Sequence, residues 1–504
     1  MANPLFEALF APLAGRGTPL LHLPDGSALS GDDFLALTLR TAAALVSAGV
    51  GPGDRVAVQV AKTPQALAVY AGAVAAGAVF LPLNTAYTAP EVDYFVGNAT
   101  PKLLICDPGR AAALDEVAAR HGARLMGLDA EGRGGFSDLA AGQGVDFAPV
   151  NRGEDDLAAF LYTSGTTGRS KGAMLTQGNL LDNARTLTAQ WQFTGADVLL
   201  HALPIFHTHG LFVASNVMLL SGGSMIFLPG FEQEAVLRLL PKATAMMGVP
   251  TFYTRLLDDD RFTADLVKGM RLFISGSAPL LAETHVQFQE RTGHRILERY
   301  GMTETNMNTS NPYAGDRRAG TVGLPLPGVE VVVTDPTTGA PLPVGETGMV
   351  EVRGPNVFKG YWQMPEKTAE ELRDNGFFIT GDLGRFDADG YLTIVGRQKD
   401  LIITGGFNVY PKEVELILDD QPGVLESAVV GVPHPDFGEA VLAVLVPEPG
   451  ATPDLAAIDA ALRENLARFK QPKGLELVAA LPRNTMGKVQ KNELRARFSD
   501  RFKG

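Results

Sequence analysis

Short apolar runs and longer helical stretches alternate along the chain between residues 55 and 302. Parallel strands need long crossover connections, so this alternation predicts βα units around largely parallel sheets. The stretches 250–258 and 281–292 are typical of the connecting helices. The predicted strands are Val56–Val60, Leu103–Cys106, Ala158–Tyr162, Val198–Leu203, Met225–Leu228, Ala245–Val249 and Leu272–Ile274.

The pattern changes after about Gly320, where β-branched runs are spaced by Gly and Pro. These runs predict a β-rich subdomain, and Asp389-Gly390 indicates a hairpin turn. From Lys399 onward, two apolar strands, a helix at 454–468 and a short strand at 475–477 predict a small α+β domain. The β-rich strands are predicted at Val329–Thr334, Met349–Arg353 and Gly390–Val395.

Composition excludes several classes of protein. The 504 residues carry 45% hydrophobic and 20% charged residues, as ordinary globular proteins do, and predict more than one domain. The net charge of −13 disfavours nucleic acid or an anionic membrane as a partner. The single cysteine, Cys106, excludes an internal disulfide and a multi-cysteine zinc site. The weakly apolar run 66–83 predicts a buried helix and a strand, so we expect a cytoplasmic protein without a membrane span.

The segment Tyr162–Leu175 combines glycines, hydroxyl residues and one lysine. Glycines allow a backbone to approach a polyanion, hydroxyls add hydrogen-bond donors, and lysine adds a point charge. This chemistry predicts a loop that binds a triphosphate, although the spacing differs from the common P-loop. The candidate residues are Thr163, Ser164, Gly165, Thr166, Thr167, Gly168 and Lys171.

Further motifs follow this loop in order along nearly the whole chain. They are Tyr300-Gly-Met-Thr-Glu304, Thr380-Gly-Asp382, Gly396-Arg397 and Asn484-Thr-Met-Gly-Lys488. Together they resemble the adenylate-forming superfamily of acyl-CoA synthetases, non-ribosomal peptide adenylation domains and beetle luciferases. Within it, the segments 205–211, 275–280 and 298–306 are most similar to those of bacterial malonyl-CoA synthetases.

The resemblance implies two half-reactions. A carboxylate attacks the α-phosphate of ATP, and the coenzyme A thiol then displaces AMP from the acyl-adenylate. Glu304 is the expected magnesium ligand, and Asp382 with Arg397 is expected to bind the ribose. Taken singly, these residues would be read as surface acids or turn residues. The adenine and remaining nucleotide contacts are expected at Ser277, Ala278, Glu298, Tyr300, Gly301 and Thr303.

For the C-terminal part, the resemblance implies a mobile lid. We expect an ATP- and acid-binding domain at 1–397 and a lid at 398–504 that pivots at Lys399. Lys488 is the expected catalytic cation of the first half-reaction, whereas Lys491 is expected to be a solvated charge. Gly405 and Gly406 are expected to shape the thiol channel. Related synthetases also suggest that protein lysine acyltransferases and deacylases act on Lys488.

The identity of the acid is predicted from cations near the expected acyl site. A buried arginine is costly unless it faces an anion, so Arg299 predicts a second carboxylate on the substrate. We therefore expect malonate, with methylmalonate tolerated. The alternative is that Arg299 pairs with Glu298 or another internal acid and the pocket is neutral. The other residues expected at this site are His207, which is also a candidate catalytic residue, Arg255, Ser277 and Met302.

Three other functions remain to be weighed. One is a CoA ligase for a short-chain or aromatic monocarboxylic acid. Another is a peptide-assembly module, which is disfavoured because no residue after His207 resembles the acid that would hold an amino group. A non-catalytic binding protein is disfavoured because every motif residue is present. His207 and His209 are two residues apart, but without a nearby cysteine they do not favour a metal site.

Overall fold

The computed structural model describes residues 3–163, 170–404, 407–484 and 487–502. The chain forms two compact units. Unit 1 comprises residues 1–330 and 352–378, and unit 2 comprises residues 331–351 and 379–504. The domain boundary expected after Arg397 stays a prediction.

One sheet of unit 1 carries the predicted phosphate-binding loop at its edge. Its strands are parallel except for the last pair, Leu157–Thr163 and Lys171–Thr176, which is antiparallel. Apolar side chains such as Leu81, Leu104 and Phe160 form the core against this sheet. The strand order is Arg124–Gly127, Leu103–Cys106, Arg55–Gln59, Val79–Pro82, Leu157–Thr163 and Lys171–Thr176.

A second sheet of unit 1 is parallel in its centre and antiparallel at both ends. Met246, Phe273 and Phe288 belong to the core packed beside it. Its strands follow the order Leu324–Pro325, Asn306–Ser310, Leu297–Met302, Leu272–Ser275, Ala245–Gly248, Val198–His201, Ser224–Phe227, Pro19–His22 and Ala28–Ser30.

Several helices of unit 1 begin where the sequence offers capping chemistry. Thr176 and Asn179 exchange side-chain-to-backbone hydrogen bonds at the start of one helix, and Pro64 and Pro250 open two others. The helices are Pro4–Leu9, Gly31–Ser47, Pro64–Ala75, Ala89–Ala99, Ala111–Arg120, Gly135–Ala141, Gln177–Gln190, Asn216–Ser221, Gln233–Leu239, Pro250–Leu257, Ala282–Thr292 and Pro365–Glu371. A π-helical segment, His209–Ser215, precedes Asn216.

Unit 2 has the β-rich and α+β character that the sequence predicts. Unit 2 contains most residues of a four-stranded sheet. The strands of this sheet are Glu330–Thr334, Gly348–Arg353, Phe378–Phe386 and Leu392–Arg397. A second sheet contains Phe407–Val409, Ile402–Thr404, Gly438–Pro447, Val424–His434 and Gly474–Leu477. Its helices are Pro411–Asp419, Leu455–Asn465 and Lys491–Arg497. The predicted α/β class is confirmed.

The predicted hairpin at Asp389-Gly390 is also confirmed, because the two strands around it pair antiparallel. Among the residues described, no helix combines the length and apolarity needed to cross a bilayer. One expectation is wrong. Lys491 is not a solvated charge, since its Nζ lies 2.5 Å from Glu415 Oε1 and most of its side chain is buried.

Candidate active site

The acid-binding candidates of unit 1 lie where parallel strands end. The strands Ala245–Gly248, Leu272–Ser275 and Leu297–Met302 are neighbours in the second sheet, and Ser275 is level with Glu298. The residues that follow Ser275 and Glu298 along the chain therefore lie close together at the carboxyl edge of the sheet, the usual place for ligands in such sheets. This register places Gly276 beside Arg299.

Arg299 is a buried cation without a hydrogen-bond partner for two of its nitrogens. The residue is 3% exposed, and neither Nε nor Nη2 has a partner. The predicted alternative, a hydrogen-bonded ion pair with Glu298, is thus absent at these two atoms. Burial lowers the pKa of the guanidinium to about 10, and nearby Tyr253 and Glu298 oppose that shift. Arg299 therefore keeps its charge at neutral pH and offers it to an anion.

The guanidinium of Arg299 occupies the space that a side chain at residue 276 would fill, so its position depends on Gly276. A Cβ atom at residue 276 would lie 2.3 Å from Arg299 Cζ and 2.4 Å from its Nη1. Any side chain there would have to displace the guanidinium. Arg299 was predicted from the sequence, but its dependence on Gly276 was not, because a glycine in a Ser-Gly-Ser segment suggests only a turn.

His209 extends the polar cluster next to Arg299. Its Nδ1 lies 3.1 Å from Ser277 Oγ, and its Nε2 has no hydrogen-bond partner. Burial, followed by the positive charge of Arg299, lowers the pKa of His209 well below its ordinary value. The ring is therefore neutral, and when Nδ1 accepts a hydrogen bond from the Ser277 hydroxyl, Nε2 carries the proton and is a donor. From the sequence, His209 was considered only as a metal ligand, so this role was not predicted.

His207 and Arg255 differ in how they relate to this cluster. His207 Nδ1 accepts the backbone N–H of His209 at 3.5 Å, so the predicted residue lies beside the cluster. Arg255 lies on an exposed part of its helix, with its guanidinium 6.0 Å from the ring of Phe231. No described contact joins Arg255 to Arg299, and its role at the acid site stays a prediction.

A buried lysine network fixes the segment that leads to His207. Lys62 Nζ donates to the carbonyl oxygens of His201 and Leu203 at 2.7 and 2.9 Å and lies 2.8 Å from His201 Nδ1. On the other side of the ring, His201 Nε2 lies 2.9 Å from the carbonyl oxygen of Gly210. These bonds hold both ends of the turn that presents His207 and His209.

The phosphate-binding candidates lie at the edge of the first sheet. Thr163 and Lys171 are direct cross-strand partners, so the two strands close the base of the predicted loop. Ser164, Gly165, Thr166, Thr167 and Gly168 lie outside the described residues. Lys171 Nζ lies 2.9 Å from both carboxylate oxygens of Glu371 and 4.1 Å from the ring centre of Tyr361. Neither Glu371 nor Tyr361 carried a signal in the sequence analysis.

Glu304, the expected magnesium ligand, is a buried carboxylate. It is 5% exposed, and Tyr361 Oη lies 3.0 Å from its Oε1. The described part of the chain contains no group of three or more His, Cys, Asp or Glu side chains arranged to hold a metal. A single carboxylate nevertheless fits magnesium, which usually keeps several waters and shares phosphate oxygens.

Several other nucleotide candidates lie close to Glu304 along the chain. Tyr300 and Thr303 are half-buried, as is Met302, which was predicted at the acid site, and Tyr300 pairs across the strands with Thr309. Gly301 permits a close approach, because a Cβ atom there would lie within 2 Å of the Asn306 carbonyl oxygen. Ser277 adopts a positive φ of 72°, which turns it and half-buried Ala278 out of the strand direction.

The candidates of unit 2 form local pairs. Asp382 and Arg397 are cross-strand partners, and Arg397 Nε lies 2.6 Å from Asp382 Oδ1. Lys488 and Asn484 close a loop, because the Lys488 N–H donates to Asn484 Oδ1 and the Asn484 N–H donates to the Lys488 carbonyl. Lys399 lies in a short 3₁₀ turn, where burial lowers its pKa. Gly405 and Gly406 lie outside the described residues.

Comparison with known proteins identifies the class. Residues 15–362 match the AMP-binding enzyme family, and residues 413–488 match the AMP-binding enzyme C-terminal domain. The chain therefore belongs to the AMP-binding enzymes, and the predicted adenylate-forming family is confirmed.

Two enzymes and one solved structure illustrate which members of the family the chain resembles. Feruloyl-CoA synthase of Amycolatopsis sp is 38% identical over 493 residues, covering 97% of each chain. Malonate–CoA ligase of Arabidopsis thaliana is 35% identical over 479 residues, covering 88% of this chain and 78% of the relative. The crystal structure of ATP-bound MatB from Rhodopseudomonas palustris has a TM-score of 0.98 and 57% identity, with complete coverage of both chains.

Proposed function

We propose that this chain is an ATP-dependent malonate–CoA ligase that also accepts methylmalonate and releases AMP and pyrophosphate. The observation that carries the choice of acid is Arg299, a buried guanidinium with two unpartnered nitrogens at the carboxyl edge of a parallel sheet. A dicarboxylate supplies one carboxylate to this arginine and keeps the other for reaction. The malonate–CoA ligase and MatB relatives support the same choice.

In the first half-reaction, an oxygen of the free malonate carboxylate attacks the α-phosphorus of ATP. The bond between the α-phosphorus and the bridging oxygen breaks, and pyrophosphate leaves with the electron pair. Arg299 orients the acid from its distal end, and neutral His209 adds a donor beside it. Lys171 and the loop from Thr163 to Gly168 bind the β- and γ-phosphates. Magnesium, held through Glu304, supplies further neutralisation of phosphate charge when it is bound.

In the second half-reaction, the coenzyme A thiol attacks the carbonyl carbon of malonyl-adenylate. The carbon–oxygen bond to AMP breaks, the thioester forms, and the thiol proton is released. Buried residues around Arg299 keep the reactive adenylate away from water on the acid side. The resemblance assigns the Asp382–Arg397 pair to the ribose hydroxyls and Lys399 to the hinge.

Lys488 is assigned by resemblance to the first half-reaction, where it bridges the acid and the α-phosphate. We expect Lys488→Ala to lose pyrophosphate release but to keep thioester formation from synthetic malonyl-adenylate. Equal loss of both half-reactions would contradict the assignment.

The predicted acylation of Lys488 by a protein acyltransferase is checked by mass spectrometry of protein from its native host. The cytoplasmic location likewise stays a prediction.

The second candidate function is a CoA ligase for a monocarboxylic acid. The feruloyl-CoA synthase relative, at 38% identity, is the observation that favours it. A panel of malonate, methylmalonate, butyrate, benzoate and ferulate, measured by acid-dependent pyrophosphate release, separates the two candidates. We expect malonate to have the highest kcat/KM. A higher value for any monocarboxylate would overturn the malonate assignment, and no release with any acid would overturn the reaction itself.

A further inference from the structure

Lys171 is held by a carboxylate that no sequence motif names. Its ammonium lies 2.9 Å from both oxygens of Glu371, the last residue of the helix Pro365–Glu371. Both side chains are largely buried, at 13% and 22% exposure. A largely buried ion pair with two short contacts fixes geometry better than an exposed pair does.

Tyr361 connects this pair to Glu304. Its hydroxyl lies 2.6 Å from Glu371 Oε2 and 3.0 Å from Glu304 Oε1. The ring itself lies under the ammonium of Lys171. Because a tyrosine hydroxyl has one proton, it donates to one of the two carboxylates at a time. The network therefore links the lysine assigned to the phosphates with the carboxylate assigned to magnesium.

The backbone gives this network a fixed frame. Tyr361 forms a bridge to Ala173, and hydrogen bonds join Met174 to Gly360 and Trp362 to Gly172. The segment that carries Tyr361 thus lies alongside the strand that carries Lys171. Thr368 accepts the backbone N–H of Tyr361 at 2.9 Å and ties the helix ending in Glu371 to the same place.

We propose that Glu371 is a positioning residue for ATP, which holds the Lys171 ammonium over Tyr361 so that it faces the β- and γ-phosphates. The proposal rests on the assignment of Lys171 to those phosphates. A lysine loses considerable rotamer entropy when it is fixed, and an anchored lysine has lost much of it before ATP arrives. The ammonium has three N–H groups, so contact with one carboxylate leaves a donor for phosphate.

The test compares ATP with AMP, because AMP lacks the phosphates that Lys171 is assigned to bind. Calorimetric titrations of the full chain use magnesium–ATP or AMP without any acid. We expect Glu371→Gln to weaken ATP binding about tenfold, the loss of one hydrogen bond to a charged group, and to leave AMP binding unchanged. The matched control is Glu370→Gln, on the same helix, whose exposed carboxylate pairs with Lys367 and not with Lys171. Lys367 Nζ also lies 3.1 Å from Glu371 Oε1, so this control shows what loss of a contact to Lys367 alone does. It should bind both nucleotides normally.

A double-mutant cycle shows whether Glu371 acts through the lysine. In a Lys171→Met background, Glu371→Gln should have no further effect on ATP affinity. Equal weakening of ATP and AMP, tighter ATP binding, or a persistent effect without the lysine would each overturn the proposal. Normal ATP binding by Lys171→Met would overturn the assignment of Lys171 to the phosphates, on which the proposal rests. Because no acid is present, these results are independent of whether malonate is the substrate.

Discussion

Unit 1 contains two cations assigned to anionic substrates, and the fold surrounds them in opposite ways. Arg299 is buried with two nitrogens unpartnered, whereas Lys171 contacts both oxygens of Glu371. The buried arginine loses hydration that nearby Tyr253 and Glu298 offset only in part until an anion arrives, which favours selection of a dicarboxylate. The ammonium of Lys171 is already compensated by Glu371, which favours reproducible placement at the site assigned to ATP phosphates.

The largest expected effect comes from removing the unpartnered cation. Arg299→Met should lower kcat/KM for malonate at least about hundredfold, because a buried, hydrogen-bonded charge pair with the substrate is lost. The KM for ATP should stay within about twofold, since ATP is assigned to Lys171. Pyrophosphate release at varied malonate and varied ATP measures both.

The matched control is Arg238→Met, which removes an exposed arginine near the end of another helix of unit 1. It should leave both constants unchanged. If Arg299→Met retained the wild-type KM and kcat for malonate, the dicarboxylate argument and the contrast between the two cations would both fail.

A smaller effect should follow from moving the arginine without removing it. In Gly276→Ala, the new methyl group would overlap the guanidinium, so we expect the KM for malonate to rise about tenfold. Gly230→Ala is the control, because a Cβ atom at residue 230 has open space around it. An unchanged KM in Gly276→Ala would mean that the arginine does not need its observed position.

The smallest effect concerns pH and the neutral histidine beside Arg299. The pKa of His209 is well below its ordinary value in the folded chain, so below about pH 6.5 the unfolded chain binds the additional proton. Above that pH, His209 therefore does not lower the free energy of unfolding. As pH falls below it, the free energy of unfolding decreases, because the unfolded chain takes up the proton and the folded chain does not. Between about pH 7.5 and 5.5, wild type should lose about 1 kcal/mol more stability than His209→Gln.

Urea unfolding at the two pH values measures this difference. His201, whose pKa is lowered in the same direction by burial and by Lys62, remains in both proteins and contributes equally to their pH dependence. Identical losses of stability in the two proteins would show that His209 is not held neutral next to Arg299.

The sequence predicted most of the secondary structure for a simple reason. Strands such as Leu103–Cys106 and Leu272–Ser275 are continuous apolar runs, since both faces of a parallel sheet are buried. The strand Leu297–Met302 was not predicted, because Glu298 and Arg299 interrupt its apolar character. The same interruption contains Arg299, the residue that we propose binds the acid, and the strand brings it to the carboxyl edge.

The candidate site was predictable only in part. Motif residues such as Lys171 and Glu304 could be named because each motif is contiguous along the chain. Glu371 lies 200 residues from Lys171, and the contact exists only because the intervening chain returns beside the strand of Lys171. Lys491 was misjudged for the same reason, since its partner, Glu415, lies 76 residues away.

The sequence by itself determined the α/β class, the adenylate-forming family and the types of side chain available for the chemistry, because periodicity and contiguous motifs are local properties of a chain. Only the tertiary structure decided which charges are paired. Strand register and segments distant in sequence decide whether a buried arginine keeps unpartnered nitrogens and whether a lysine is held in an ion pair. The space beside a glycine such as Gly276 also decides where the arginine can lie.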